Sequence, residues 1–269
     1  MAEAEALYRK ALEIDLRTLG PEHSDTTQTE DGLANVLSTQ HHYAEAEKIH
    51  RDVLAVRVRL LGPDHTDTLL TQYNISEVMF RQNHYAEAEN LIRKTQTSQT
   101  RVLGAEDPDA MASKTLLARI LIKEGRFREA EESARQAFEA QLRVLGPQHN
   151  DTISSLQYLG IALALNHHYD EAKALFDGII QKIGANKGRE SSVPWYELAC
   201  VDAAAGHRAE AFDHLRRAIK TGERDAGDVK GDDDLKSLRS DHRFNVLLAE
   251  AQRHPDAAAA PTPTTPGPK

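Results

Sequence analysis

The sequence predicts an all-α chain, a right-handed solenoid of stacked antiparallel helical hairpins, and three observations carry that expectation. An eight-residue element recurs at a fixed interval of 42 residues. A second element recurs in phase with it, and the residues between the two place apolar side chains at helical spacing.

The first element reads Leu19-Gly20-Pro21-Glu22-His23-Ser24-Asp25-Thr26, then Leu61-Gly62-Pro63-Asp64-His65-Thr66-Asp67-Thr68. It returns as Leu103-Gly104-Ala105-Glu106-Asp107-Pro108-Asp109-Ala110 and Leu145-Gly146-Pro147-Gln148-His149-Asn150-Asp151-Thr152. The second reads His42-Tyr43-Ala44-Glu45-Ala46, His84-Tyr85-Ala86-Glu87-Ala88, Arg126-Phe127-Arg128-Glu129-Ala130 and His168-Tyr169-Asp170-Glu171-Ala172. A fifth copy, His207-Arg208-Ala209-Glu210-Ala211, follows after 39 residues, so the last connection is three residues shorter.

Taken in order, residues 2–19 match the second helix of a repeat alone, with Ala4, Leu7, Ala11 and Leu12 standing where Ala46, Ile49, Val53 and Leu54 stand later. Met1 occupies the place of the helix-opening tyrosine, which leads us to expect a fragment that begins inside a repeat and leaves one helix face uncovered. Full repeats are expected at about 24–61, 66–103, 108–145, 150–184 and 193–221. Apolar residues such as Ile49, Val53, Leu54, Leu60 and Leu61, or Leu175, Phe176, Ile179, Ile180 and Ile183, mark the faces that pack. Gly20, Gly62, Gly104 and Gly146 suit the left-handed position that ends a helix. Asp25, Asp67, Asp109 and Asp151 place a carboxylate in the next first turn, where the helix dipole favours it, and Pro108 suits a first helical position. Thr95-Gln96-Thr97-Ser98 puts polar residues where other copies are apolar, so that helix is expected to be the loosest. Beyond the period, residues 222–254 are expected to form capping helices around Leu235, Leu238, Phe244 and Leu247, and 255–269 a disordered tail rich in Pro, Thr and Ala.

A helix followed by aromatic-Ala/Arg-Glu-Ala at the start of its partner resembles the tetratricopeptide repeat, and the 42-residue period with its Leu-Gly-Pro-x-His-x-Asp-Thr connection resembles the kinesin light chain subfamily. The likeness spans residues 1 to about 221. It implies a curved array with a concave face and a binding role, without naming the ligand. The stretch from Trp195-Tyr196-Glu197-Leu198-Ala199-Cys200 to Phe244 resembles the C-terminal ends of bacterial tetratricopeptide proteins.

Composition narrows the function classes. The chain of 269 residues has ten prolines, five of them after residue 254, and a formal charge of −9, which argues against a general nucleic-acid surface. One cysteine, Cys200, excludes an internal disulfide framework and a cysteine-based zinc site, and reads as a small core residue. No apolar run is long enough for a membrane span. Phosphate-loop, dinucleotide, zinc-protease and nucleophile-elbow motifs are absent, so no enzymatic activity and no cofactor are expected. The paired histidines His41-His42 and His167-His168, and the connection residues His23, His65 and His149, are read as loop and capping residues. Asp232-Asp233-Asp234 lacks the alternating oxygen pattern of a calcium loop and is read as a helix start.

The remaining candidate is the concave surface, lined by the first helix of each repeat. Carried over from the family pattern, the lining residues are Asp31, Asn35 and Ser38, then Tyr73, Asn74, Glu77 and Arg81, then Thr115, Arg119 and Lys123, then Gln157 and Tyr158. Arg81, Arg119 and Lys123 form a local cationic cluster that suits an acidic side chain or a terminal carboxylate. The expectation is a protein-interaction scaffold that binds an extended or helical peptide, acidic in character, with self-association through the open first helix. The alternative is a regulatory region of a multidomain enzyme such as a bacterial serine/threonine protein kinase. A cytoplasmic location is expected, with an extracytoplasmic part of an anchored parent as the other reading.

Overall fold

A computed structural model of the chain describes residues 2–183, 189–221 and 226–252. The residues resolve into two compact bodies, 1–140 and 141–269. The first contains α1 (Ala2–Thr18), α2 (Ser24–Thr39), α3 (Tyr43–Leu61), α4 (Thr66–Arg81), α5 (Tyr85–Leu103), α6 (Pro108–Lys123) and most of α7 (Phe127–Val144). The second holds α8 (Asn150–Leu165), α9 (Tyr169–Ile183), α10 (Arg189–Ala205), α11 (Arg208–Thr221), α12 (Ala226–Gly231), a 3-10 turn over Asp233–Leu238 and α13 (His242–Gln252). The proline-rich tail falls outside the described residues.

The recurrent motifs are the helix boundaries. His23, His65 and His149 are N-caps with extended backbone, and each ring Nδ1 accepts a hydrogen bond from the backbone N–H of Asp25, Asp67 or Asp151, at 3.2 to 3.3 Å. Asp107 does the same with a carboxylate, at 2.9 Å to the Asp109 N–H. The threonine of the motif closes the loop from the other side, since Thr26 Oγ1 and Thr68 Oγ1 donate to the carbonyls of Gly20 and Gly62 at 2.7 and 2.9 Å. Gly62 differs from the left-handed cap expected for it. Its φ of 91° and ψ of 164° lie in an extended positive-φ region that is essentially restricted to glycine.

The tight turn inside each hairpin uses the left-handed conformation instead. His41, Asn83, Gly125, His167 and Gly206 all have positive φ at equivalent positions. The following N–H reaches back to close the helix end, as from His42 to Leu37 O at 2.9 Å and from His84 to Met79 O at 2.9 Å. The rings of His41 and His167 then bond the hydroxyls of Tyr43 and Tyr169, at 2.6 and 2.8 Å. These histidines thus serve the turn.

Packing follows the apolar stripes. In the first body Leu33, Ala34, Leu37, Ala46 and Val78 are buried in one cluster, with Leu12, Tyr43 and Ile49 against it. Each such leucine contributes about 1.5–3 kcal/mol on leaving water. Helix α1 has no buried residue, and Leu7 and Ile14 stay 62% and 44% exposed. Helix α5 is continuous through Thr95-Gln96-Thr97-Ser98. Thr95 is buried with its hydroxyl on Leu91 O and Gln72 Oε1, at 3.0 and 3.1 Å, so hydrogen bonds stand in for apolar packing there. In the second body Leu235, Leu238, Phe244 and Leu247 close over Tyr196, Cys200, Phe212 and Leu215. Cys200 is a buried free thiol.

Candidate functional site

The first helix of each repeat in the first body (α2, α4 and α6) carries a slot at the boundary with the preceding second helix, half-buried at α2 and buried at α4 and α6. The slot is polar in all three cases, and the same sequence spacing of 14 residues fills it. Thr29 Oγ1 donates to Asp15 Oδ2 at 2.8 Å. Arg57 Nη1 donates to Thr71 Oγ1 at 2.7 Å. Ser113 Oγ donates to Gln99 Oε1 at 2.6 Å. Such partners matter because an orphaned buried polar group costs about 1–3 kcal/mol; the third slot keeps one, since the Gln99 Nε2 has no hydrogen-bond partner among the described residues.

The middle slot is the most charged. Arg57 and Asp31 are each 7% exposed and form a short ion pair. Asp31 also holds the buried His50 ring at 2.8 Å, and Arg57 donates to Asp67 O at 3.2 Å. Close by, burial pushes the Glu30 carboxyl above the ordinary glutamate range, with the charges of Asp52 and Asp31 adding to the effect against Arg57.

Above this ion pair a cleft of about 410 Å³ opens between α2 and α4. Asp31 and Arg57 lie in its lining, together with Gln28, Asn35 and Asn74 as polar residues and Val56, Leu60, Leu61 and Leu70 as apolar ones. Tyr8 of α1 closes one end. It can lie there because residue 32 is glycine, where an added Cβ would stand 2.3 Å from the tyrosine ring.

The residues expected on the lining face divide accordingly. Asn35 and Asn74 line the cleft, Asn35 exposed and Asn74 half-buried. Asp31, Ser38 and Thr115 are buried, at 7 to 8% exposure, and Asp31 and Thr115 are committed to internal bonds, Thr115 to Met111 O at 3.3 Å. Tyr73 is half-buried. Glu77 joins Arg81 at 2.9 Å and Arg119 at 2.8 Å, with the Arg119 guanidinium 4.6 Å from the Phe80 ring centroid. The expected cationic cluster therefore already contains a carboxylate, and Lys123 makes no ion pair among the described residues. Arg57 was missed as a lining residue because it belongs to a second helix; aligning Arg57, Gln99 and Gln141 in the 42-residue register would have shown an interior position that is polar in three successive copies and apolar only at Ile183.

Gln157 and Tyr158 belong to the second body, both half-buried, and Gln157 Nε2 donates to the buried Glu197 at 2.8 Å. There too, the buried Asp202 accepts from His214 at 2.7 Å, and Trp195 stacks on the His214 ring at 5.6 Å. The Cys200 sulfur lies within 4.8 Å of carboxylate oxygens of Asp232 and Asp234. Asp232 itself accepts from the Tyr196 hydroxyl at 2.8 Å and the Asp234 N–H at 3.0 Å, the latter as the N-cap of the 3-10 turn.

Repeated helical hairpins with capped boundaries and polar slots in register define a helical-repeat protein. The tetratricopeptide repeat profile matches residues 1–57, 25–101 and 109–177, more than half of the chain, and the chain belongs to that family. No curated protein matches it significantly. Among solved structures, a kinesin light chain-type protein of Podosopora anserina with nearly identical repeats is 24% identical over 74% of this chain and 96% of its own, with a TM-score of 0.67. BtubC (BKLC) from P. vanneervenii is 19% identical over 82% of this chain and 90% of its own, with a TM-score of 0.68. A Rap protein complexed with competence and sporulation factor is 13% identical over 93% and 76%, with a TM-score of 0.60. At these identities the likeness establishes the shared fold. No helix of the described residues is long and apolar enough to cross a membrane.

Proposed function

We propose that the chain is a protein-interaction scaffold that holds an extended peptide along the face formed by α2, α4 and α6. The observation that carries this reading is the cleft between α2 and α4, where the carboxamides of Asn35 and Asn74 stand at the edge of an apolar wall above a buried ion pair. Such a pairing can hold a peptide backbone through donor and acceptor groups while pockets receive its side chains. At the other end, Arg81 and Lys123 are exposed and suit a carboxylate of the ligand.

Selection of a random peptide display library on the full chain, followed by titration of the enriched peptides, tests the proposal. Replacing Asn35→Ala and Asn74→Ala together should weaken those peptides roughly tenfold, from the loss of two hydrogen-bonding groups. Undiminished affinity in the double variant would refute the placement of the peptide on this face.

A further inference from the structure

The cleft also has a chemical preference, and stating it rests on the groove reading above. Four large apolar side chains that remain 37 to 50% exposed, Tyr8, Leu60, Leu61 and Leu70, gather in its wall. Exposed apolar area collected in a concavity is the usual mark of a ligand pocket, whereas the same residues scattered singly would carry no meaning.

The ionisable groups in the lining are unevenly signed. Three are acids, Glu22, Asp31 and Asp67, against one base, Arg57. Glu22 is held at the rim by both Arg59 nitrogens, at 2.6 and 3.0 Å, and Asp31 is held by Arg57. That leaves Asp67, whose carboxylate has no lysine or arginine partner among the described residues and lies 3.7 Å from His65 Nδ1.

We propose that this cleft is the pocket for a lysine or arginine side chain of the bound peptide. Its methylene stem lies on Leu60, Leu61 and Leu70, and its cationic head meets Asp67 and the side-chain carbonyls of Asn35 and Asn74. A long side chain with an apolar stem and a charged tip matches a pocket with an apolar wall and a polar end. An acidic side chain meets the unbalanced carboxylate. A purely apolar one takes water from Asp67 and the two carboxamides without returning a hydrogen bond.

The test uses the full chain and a random peptide display library, selected in parallel on the wild type and on Asp67→Asn. Asparagine keeps the short polar side chain in the first turn of α4, and circular dichroism verifies that the variant folds. The expected result is enrichment of lysine or arginine at one position of the wild-type binders, lost on Asp67→Asn while peptides are still selected. Exchanging that lysine for norleucine should weaken a wild-type binder about twofold to fivefold and leave binding to Asp67→Asn unchanged. Leu70→Ser should weaken the lysine and norleucine peptides alike. Selected peptides without a basic preference, or a preference that persists in Asp67→Asn, would overturn the pocket assignment and leave the groove reading standing. If no peptide is selected at all, the groove reading falls and the assignment falls with it.

Discussion

Replacing Arg57 by glutamine, the residue that Gln99 and Gln141 supply at equivalent positions, should destabilise the chain far more than its conservative appearance suggests. Arg57 is 7% exposed and bonds Asp31, Thr71 and the carbonyl of Asp67. Glutamine can keep one or two of those bonds, but it leaves the Asp31 carboxylate buried with only the hydrogen bonds of the His50 ring and the Thr71 hydroxyl among the described residues. Removing one partner of a buried pair costs about 3–5 kcal/mol, and the surviving hydrogen bonds place Arg57→Gln near the lower end, about 3 kcal/mol. Asp31→Thr, the residue of Thr115 in the third repeat, should cost a similar amount by leaving the guanidinium uncompensated. The double variant removes both charges but leaves the buried His50 ring without its Asp31 partner, so it should lie about 1–3 kcal/mol below wild type, well short of the sum of the singles. Urea unfolding followed by circular dichroism on all four proteins gives the coupling directly. If Arg57→Gln alone costs less than about 1 kcal/mol, or if the double variant is the sum of the singles, the ion pair does not hold this boundary together.

Three further outcomes are expected. His65→Ala removes the acceptor for the Asp67 N–H and should cost about 1 kcal/mol, while His65→Asp should restore it, since Asp107 fills that position in the next repeat; thermal melts of the two variants decide. Gly32→Ala places a Cβ against the Tyr8 ring and should loosen α1, seen as faster amide exchange over residues 2–18 with α6 unaffected, and Tyr8→Ala in the same chain should remove the clash. Glu30 is a carboxyl raised by burial, so the folded chain binds its proton more tightly than the unfolded one, and the stability it contributes is present at acid pH and lost as the pH rises through its folded pKa. Glu30→Gln should therefore raise the melting temperature at neutral pH, with the gain vanishing below about pH 4; an equal gain at both would refute the assignment.

The helices were legible in the sequence because their boundaries are written in local chemistry. A histidine or aspartate two residues before the first-turn carboxylate, a glycine at the helix end, and a residue tolerant of positive φ inside each hairpin all act over a few residues, and they repeat. The lining face was legible as a set of positions, since helical spacing determines which residues share a side. What those residues do there was not legible. Asp31 looked like a groove carboxylate, yet it serves a buried pair because the arginine that claims it is 26 residues away on another helix. Arg81 and Arg119 looked like a cationic patch, yet Glu77 stands between them, and only the stacking of α4 on α6 brings Arg119 to it. Both outcomes depend on contacts between repeats, where chemistry departs from the shared pattern.

The three polar slots along the first body have one further consequence, for how the chain tolerates rearrangement of its own repeats. Arrays of similar segments are prone to lose or gain a whole period, and apolar boundaries of interchangeable shape offer little resistance to that. Here the boundaries are keyed, with aspartate to threonine, arginine to threonine and glutamine to serine in succession. An excision of one period whose ends fall between residues 31 and 57 would join Asp31 to a downstream helix carrying glutamine, stranding a carboxylate in the interior, whereas an excision that removes both partners would pass unpunished. The order of the repeats is thus guarded at one boundary by electrostatics, and a deletion series stepped through that interval should show stability falling and recovering according to where the ends fall.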